Sequence, residues 1–301
     1  MLKLFYVSVL LISGTCLAAE PVAKPDAATT ADITIQWNQR YSANAKRFGF
    51  CDVYLPGSAP PVSGYPVVLV IHGGGWMSGD KWTLESYCRS LADVGIAAVS
   101  INYRLAPDDK FPSQIDDVRS AMLWTREQSK SLSLDMQKFG LFGYSAGGHL
   151  ALLAASLADE TIKVQAAASD WSVDDPRWKL LPPVKAVCAG GPPCDFENLP
   201  IDNTAMAYFL GGSRRERSEL YTSASPLAHV SKDDPATKII HGDQDIIVPI
   251  AGAKVFGAKQ KELGVDHHLS VISGQGHMLT FLNPRTRQLM VKFFRDQYHL
   301  N

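Results

Sequence analysis

Cysteine is scarce, with five in 301 residues, and no two of them stand as C-x-x-C. The adjacent pair His267-His268 has no third ligand at metal spacing, so no metal centre is expected. Charge of one sign is lacking too, since 29 Lys and Arg face 30 Asp and Glu without a basic block. Nucleic acid and anionic membrane surfaces are therefore not expected as partners. The apolar-rich stretch 4–12 falls far below the roughly 20 residues of a spanning helix, which argues against a permanent membrane anchor. Neither G-x-G-x-x-G nor G-x-x-x-x-G-K-[ST] occurs, so glycine-rich loops in this chain do not read as phosphate cradles. No internal repeat is present. What remains is a chain with 46% hydrophobic residues, enough to bury a substantial core, and a length that fits one α/β domain.

Residues 1–19 have the build of a secretory signal peptide: Lys3, then the apolar stretch, then small residues from Ser13 onward. Cleavage after Ala18 puts Cys16 at the −3 position and fits the small-residue rule better than cleavage after Ala19, which puts Leu17 there. A lipid-modified Cys16 is a poorer reading, because Thr15 precedes it and polar Ser13 stands three before it. The expected location is the periplasm or the cell exterior. Export leaves Cys51, Cys88, Cys188 and Cys194 in an oxidising compartment, where three pairings are open. The favoured expectation joins Cys51 to Cys88, closing a loop worth roughly 3 to 4 kcal/mol in the chain-entropy model, and Cys188 to Cys194 across a Gly-Gly-Pro-Pro turn. The alternative is that Cys51 and Cys188, both in strand-like runs, are buried thiols.

Residues 20–31 are rich in Ala, Pro and Thr without an apolar period and read as a flexible lead; the catalytic domain is expected over 32–301. Short alternating strands are expected at 33–37 and 48–55, and a strand buried on both faces at 67–71, where five β-branched or Leu residues follow one another. After it, helix and strand alternate: helix 83–94, strand 96–101, helix 113–130, strand 139–142, helix 149–157. Strands at 184–189, 238–241 and 268–272, a helix at 250–263 and a terminal helix at 284–298 continue the series. Such alternation implies a parallel sheet covered by helices. Two segments interrupt it, 162–183 and 192–228, and each reads either as a lid or pocket wall or as surface loop.

Four motifs carry chemistry. Gly143-Tyr144-Ser145-Ala146-Gly147 lies between a strand and a helix and reads as a nucleophile elbow, a sharp turn that lifts the Ser145 hydroxyl clear of the sheet. His72-Gly73-Gly74-Gly75-Trp76 follows the buried strand; its unobstructed amides suit an oxyanion site, with Gly74 and Gly75 as donors beside Ala146 and Gly73 as a further possibility. His241-Gly242-Asp243-Gln244-Asp245-Ile246-Ile247-Val248-Pro249 is a strand end running into a loop before a helix; Asp245 is the expected partner of a histidine, Asp243 the turn stabiliser and Asp195 a weaker rival. Gly274-Gln275-Gly276-His277-Met278 places a histidine after the last strand, where a loop can swing it into a site. Taken alone, each of these residues is more often a packing or surface residue than a catalyst. Their order decides: nucleophile, acid, base from successive strand ends is the order of an α/β-hydrolase sheet.

On these motifs, together with Asn102-Tyr103-Arg104-Leu105-Ala106-Pro107, Phe111-Pro112 and Asp116-Asp117-Val118, residues 52–300 resemble an α/β-hydrolase carboxylesterase with an HGGG oxyanion loop. The group it looks most like is the bacterial and plant feruloyl-esterase-like and arylformamidase-like esterases. The resemblance implies a mostly parallel central sheet of about eight strands with helices on both faces. It also implies cofactor-free hydrolysis of carboxylic esters, with Ser145, Asp245 and His277 as triad. Two departures stand out: only about fifty residues separate the expected cleavage site from His72, too few for a large N-terminal cap, and Tyr144 stands where many relatives carry an acid. An uncapped, open site would admit short-chain acyl esters or bulky sugar-linked ones, acetyl or feruloyl esters among them. Amidase, arylformamidase or peptidase chemistry on the same triad is the alternative, and a non-catalytic binding protein a third. Trp76, Tyr144, Trp171 and Tyr208 are candidates for the pocket wall, against the ordinary alternative that they are core. Arg104, Asp116 and Asp117 read as structural. Oligomeric state is not legible.

Overall fold

The structure, a computed structural model, describes residues 32–198 and 204–300. The signal peptide expected in residues 1–19 and the lead 20–31 lie outside the described residues. Two strands open the domain, β1 (Thr34–Arg40) and β2 (Phe50–Leu55), paired antiparallel. They are followed by β3 (Tyr65–Ile71), α1 (Glu85–Ala92), β4 (Ala97–Ile101), α2 (Ser113–Glu127), β5 (Leu134–Tyr144) and α3 (Ala146–Ser156). All seven residues of β3 are buried, as its unbroken run of branched side chains requires of a central strand. The second half contributes α4 (Ile162–Ala167), β6 (Ala186–Gly190), α5 (Thr204–Leu210), α6 (Ser218–Ser223), β7 (Ala236–Gly242), α7 (Ala251–Glu262), β8 (His267–Ile272), α8 (His277–Leu282) and α9 (Pro284–Gln297).

The eight strands form one sheet in the order β1-β2-β4-β3-β5-β6-β7-β8. From β4 to β8 every pairing is parallel, while β2 joins β4 antiparallel. Alternate side chains of each strand divide the interior into two layers. Val67, Leu69 and Ile71 pack with α2, α3 and α7 on one face. Val68 and Val70 pack with α1 and α9 on the other. Helices on both faces bury the sheet, and the loops leaving the carboxyl ends of the parallel strands are the place for a site in such a sheet.

That two-layer division overturns the expected disulfides. Cys51 lies in the layer of α2 and α3, whereas Cys88 sits on α1 in the opposite layer. Cys188 and Cys194 are separated in the same way, Cys188 on the α1 and α9 side and Cys194 on the other. A sheet stands between the partners of each pair, and all four thiols are free and buried. Burial raises every one of them, pushing Cys188 up to about 12.

The two interrupting segments differ in kind. The first, carrying α4 and a 3-10 turn (Pro176–Leu180), docks on α2: the Arg119 guanidinium donates to the Ala168 carbonyl at 2.7 Å, and Trp171 and Trp178 pack beside Leu123. The second carries α5 and α6 and reaches the mouth of the site described below. Arg104 and Asp117 have the structural role read for them, with the guanidinium on the carboxylate at 2.8 and 3.0 Å, holding the loop between β4 and α2.

Candidate active site

The nucleophile elbow forms where β5 passes into α3. Ser145 is held at φ 55° and ψ −122°, a left-handed conformation that costs a side-chain-bearing residue on the order of 1–3 kcal/mol. The strain is held by its surroundings: the Ser145 amide donates to the Gly190 carbonyl at 2.7 Å, and the Ser145 carbonyl accepts from the His149 amide at 2.9 Å. Gly147 has to be glycine, because a Cβ there would stand 2.0 Å from the Ile71 carbonyl oxygen of β3.

Gly73, Gly74, Gly75, Ser145, Ala146 and His277 all line one cavity of about 470 Å³. Gly74 (φ 111°) and Gly75 (φ 61°) turn the loop after β3. A Cβ on Gly74 would meet the Ser78 carbonyl oxygen at 2.1 Å. Ala146 is the first residue of α3, where helical amides have no intrahelical acceptor. The three expected oxyanion donors therefore surround the same space as the Ser145 side chain.

Asp245 follows β7 and His277 opens α8, 32 residues apart and joined at 2.6 Å from imidazole Nδ1 to carboxylate Oδ2. The Ile247 and Val248 amides, at 3.0 and 2.8 Å, hold Oδ1 of Asp245. A carboxylate so placed only accepts, so Nδ1 of His277 carries the proton of this bond, and Nε2 is the nitrogen left for a base to use. The rival acids are engaged elsewhere. Asp243 accepts from the Gly274 amide at 2.7 Å, tying the turn as expected, and Asp195 accepts from the Glu197 and Asn198 amides.

Three buried imidazoles stand behind this front. Trp76 Nε1 donates to His149 Nδ1 at 3.1 Å, and Nε2 of His149 donates to the Ala224 carbonyl at 2.7 Å. This chain of bonds joins the oxyanion loop, α3 and the segment beyond α6. His72 bonds the Gly73 carbonyl at 2.7 Å through Nδ1 and stacks on Tyr103. Burial pulls both His72 and His149 down to about 4, so both are neutral donors. His241 donates Nε2–H to the Val248 carbonyl at 2.8 Å and lies 3.4 Å from Asp245; burial lowers it as well.

Of the four aromatic candidates for the pocket wall, the structure brings Trp76 and Tyr144 to the cavity. Trp171 is packed instead with Trp178 on α2, capped by the Arg177 guanidinium 3.9 Å from its ring centre, and Tyr208 is 53% exposed, away from the cavity lining. Side chains not singled out as wall candidates complete it: Ile247, Val248 and Met278, which lie within the acid and histidine motifs, and Leu84, Met206 and Phe281, which lie outside every motif. All are apolar residues whose place in the wall is set by the fold and is not signalled by their type. Among the described residues no group of three or more His, Cys, Asp or Glu is placed to hold a metal ion. No helix among them is long and apolar enough to cross a membrane.

The strained serine at the end of β5, the glycine loop after β3 and the acid and histidine after β7 and β8 define the architecture of an α/β-hydrolase. The chain belongs to the BD-FAE family, whose model matches residues 51–259. It is similar to Esterase LipC of Mycobacterium tuberculosis, 30% identical over 207 residues that cover 65% of this chain and 48% of that protein. The chain spans about half the length of the curated relatives it matches. Among solved structures, a truncated carbohydrate esterase from gut microbiota superposes with a TM-score of 0.79 at 25% identity, covering 90% of this chain and 98% of that one. Esterase B of Lactobacillus rhamnosis, at 23% identity and a TM-score of 0.74, covers 89% of this chain and 88% of its own, and shares the fold.

Proposed function

We propose that this chain is a serine carboxylesterase working through an acyl-enzyme, with Ser145 as nucleophile, His277 as general base and Asp245 as the residue orienting it. The observation that carries the reading is the 2.6 Å bond from His277 Nδ1 to Asp245, with His277 and the strained Ser145 lining one cavity. In the reaction, Nε2 of His277 takes the Ser145 hydroxyl proton as Oγ attacks the ester carbonyl carbon. Negative charge develops on the carbonyl oxygen and is met by the amides of Gly74, Gly75 and Ala146, each worth roughly 2.7 to 4 kcal/mol to the transition state. The alcohol leaves with the proton from His277, and water, activated by the same imidazole, releases the acid. No cofactor enters these steps.

The substrate class supported best is short-chain acyl esters, because the cavity wall beyond the reacting groups is built largely of aliphatic and thioether side chains. Sugar-linked acetyl or feruloyl esters are the narrower form of the same proposal, supported by the likeness to the carbohydrate esterase from gut microbiota. Replacing Ser145 with Ala should reduce turnover of p-nitrophenyl acetate by on the order of 10⁶ while leaving the thermal transition in place. A variant that retained the parent rate would remove Ser145 from the mechanism. The exported location read from residues 1–19 belongs to the same proposal, and N-terminal sequencing of protein secreted by the native host would find Ala19 first.

A further inference from the structure

We infer that Tyr144 is a positioning residue for the base: its phenol staples the backbone of His277 to the strand that carries Ser145. The inference rests on the triad reading above and adds to it a residue that the reading does not use. Tyr144 is the last residue of β5 and is peptide-bonded to Ser145. Its hydroxyl donates to the His277 carbonyl at 2.6 Å, a bond across 133 residues of chain. Both residues are buried. The Tyr144 ring also stands edge-on to the imidazole, 5.3 Å between centres, and to Phe281 of α8 at 4.9 Å.

The end of β6 is shaped to receive this pair. A Cβ on Gly190 would lie 2.3 Å from the Tyr144 ring, and one on Gly191 would lie 3.0 Å from Cε1 of His277, at a residue held at φ 50°. Gly190 in turn accepts the Ser145 amide. Nucleophile, phenol and imidazole thus share one glycine-lined seat, and the bond from Tyr144 fixes the main chain on which the imidazole is mounted. Burial raises the phenol well above its ordinary range, so it remains a protonated donor throughout the working pH range.

Such a residue acts on rate and not on substrate affinity, because an imidazole that wanders by an ångström loses near-attack geometry without altering the apolar wall. Removing the hydroxyl also leaves a buried carbonyl without its donor. For Tyr144→Phe, kcat on p-nitrophenyl acetate should fall about 5- to 30-fold with KM within twofold. The rate constant for labelling by a fluorophosphonate should fall by the same factor. As a second variant, p-aminophenylalanine at position 144 returns a donor at the same ring position and should hold kcat within about threefold of the parent. A raised KM with unchanged kcat in Tyr144→Phe would make Tyr144 a pocket wall and overturn the inference. So would unchanged kcat and labelling. A folded p-aminophenylalanine protein as slow as Tyr144→Phe, or more than tenfold slower than the parent if Tyr144→Phe does not fold, would also overturn it. Failure of the triad reading itself shows separately, as turnover surviving in Ser145→Ala.

Discussion

Single residues here act through what they forbid as much as through what they bond. Asp245 can only accept from His277, and that fixes the tautomer; Asn at 245 would offer an amide in place of a carboxylate oxygen and would permit the wrong one. Asp245→Asn should therefore lower kcat by on the order of 10⁴ with KM little changed, measured on p-nitrophenyl acetate. Equal kcat in the variant would contradict the role given to the acid. The four buried thiols allow a second test. Native protein that begins at Ala19, and so lacks Cys16, should resist a thiol reagent such as dithionitrobenzoate and release four equivalents only when unfolded, with no mass change on reduction. Ser145, Asp245 and His277 are legible in the sequence because each lies in a short motif with its own glycine or turn signal. The cysteine pairs mislead because sequence spacing does not reveal on which side of a sheet a thiol faces. The roles of His149 and Tyr144 escape a sequence reading for a related reason: the partners that give them those roles, Trp76 with the Ala224 carbonyl and the His277 carbonyl, are distant in sequence.

At the scale of elements, the parallel core is readable from its unbroken apolar strands, and most boundaries fall within a few residues of those expected. The exception that matters is α8. Six residues without a side-chain cap give no helical signal, and His277 reads as a loop residue, whereas it opens this short helix. The outward face of α8 is apolar, with Met278, Leu279 and Leu282 exposed, and Ile246 and Ile247 stand exposed beside Asp245. Ile247 and Met278 also line the cavity, so they form its lip. A charge there should discourage apolar substrate at little cost to a fold that does not bury these side chains. Met278→Glu is expected to raise KM for p-nitrophenyl butyrate several-fold more than for the acetate, with the melting temperature changed by no more than about 2 °C. An equal effect on both esters would place the acyl chain elsewhere.

For the molecule as a whole, imidazoles lowered by burial make acid the sensitive direction, His72 and His149 among them. His72 and His149 titrate near 4 when folded and near 6.5 when unfolded, so between those values the unfolded chain binds more protons. Stability is full above about pH 6.5 and falls towards pH 4, by up to roughly 1.4 kcal/mol per pH unit for each imidazole. Burial lowers His229, His241 and His267 as well, which adds to this slope, while Asp116, Asp117 and Asp234, the last pushed up to about 6, contribute the opposite one; five imidazoles stand against three carboxyls. Urea midpoints at pH 7 and pH 5 should therefore differ, with the lower value at pH 5; equal midpoints would contradict the neutral buried state. The central claim is that one serine, set at the end of β5, carries the acyl group. Labelling with a fluorophosphonate followed by peptide mapping tests it most directly: one equivalent on Ser145, with ester turnover lost in proportion, is the predicted result, and full turnover in protein carrying that label, or modification at another residue, would contradict it.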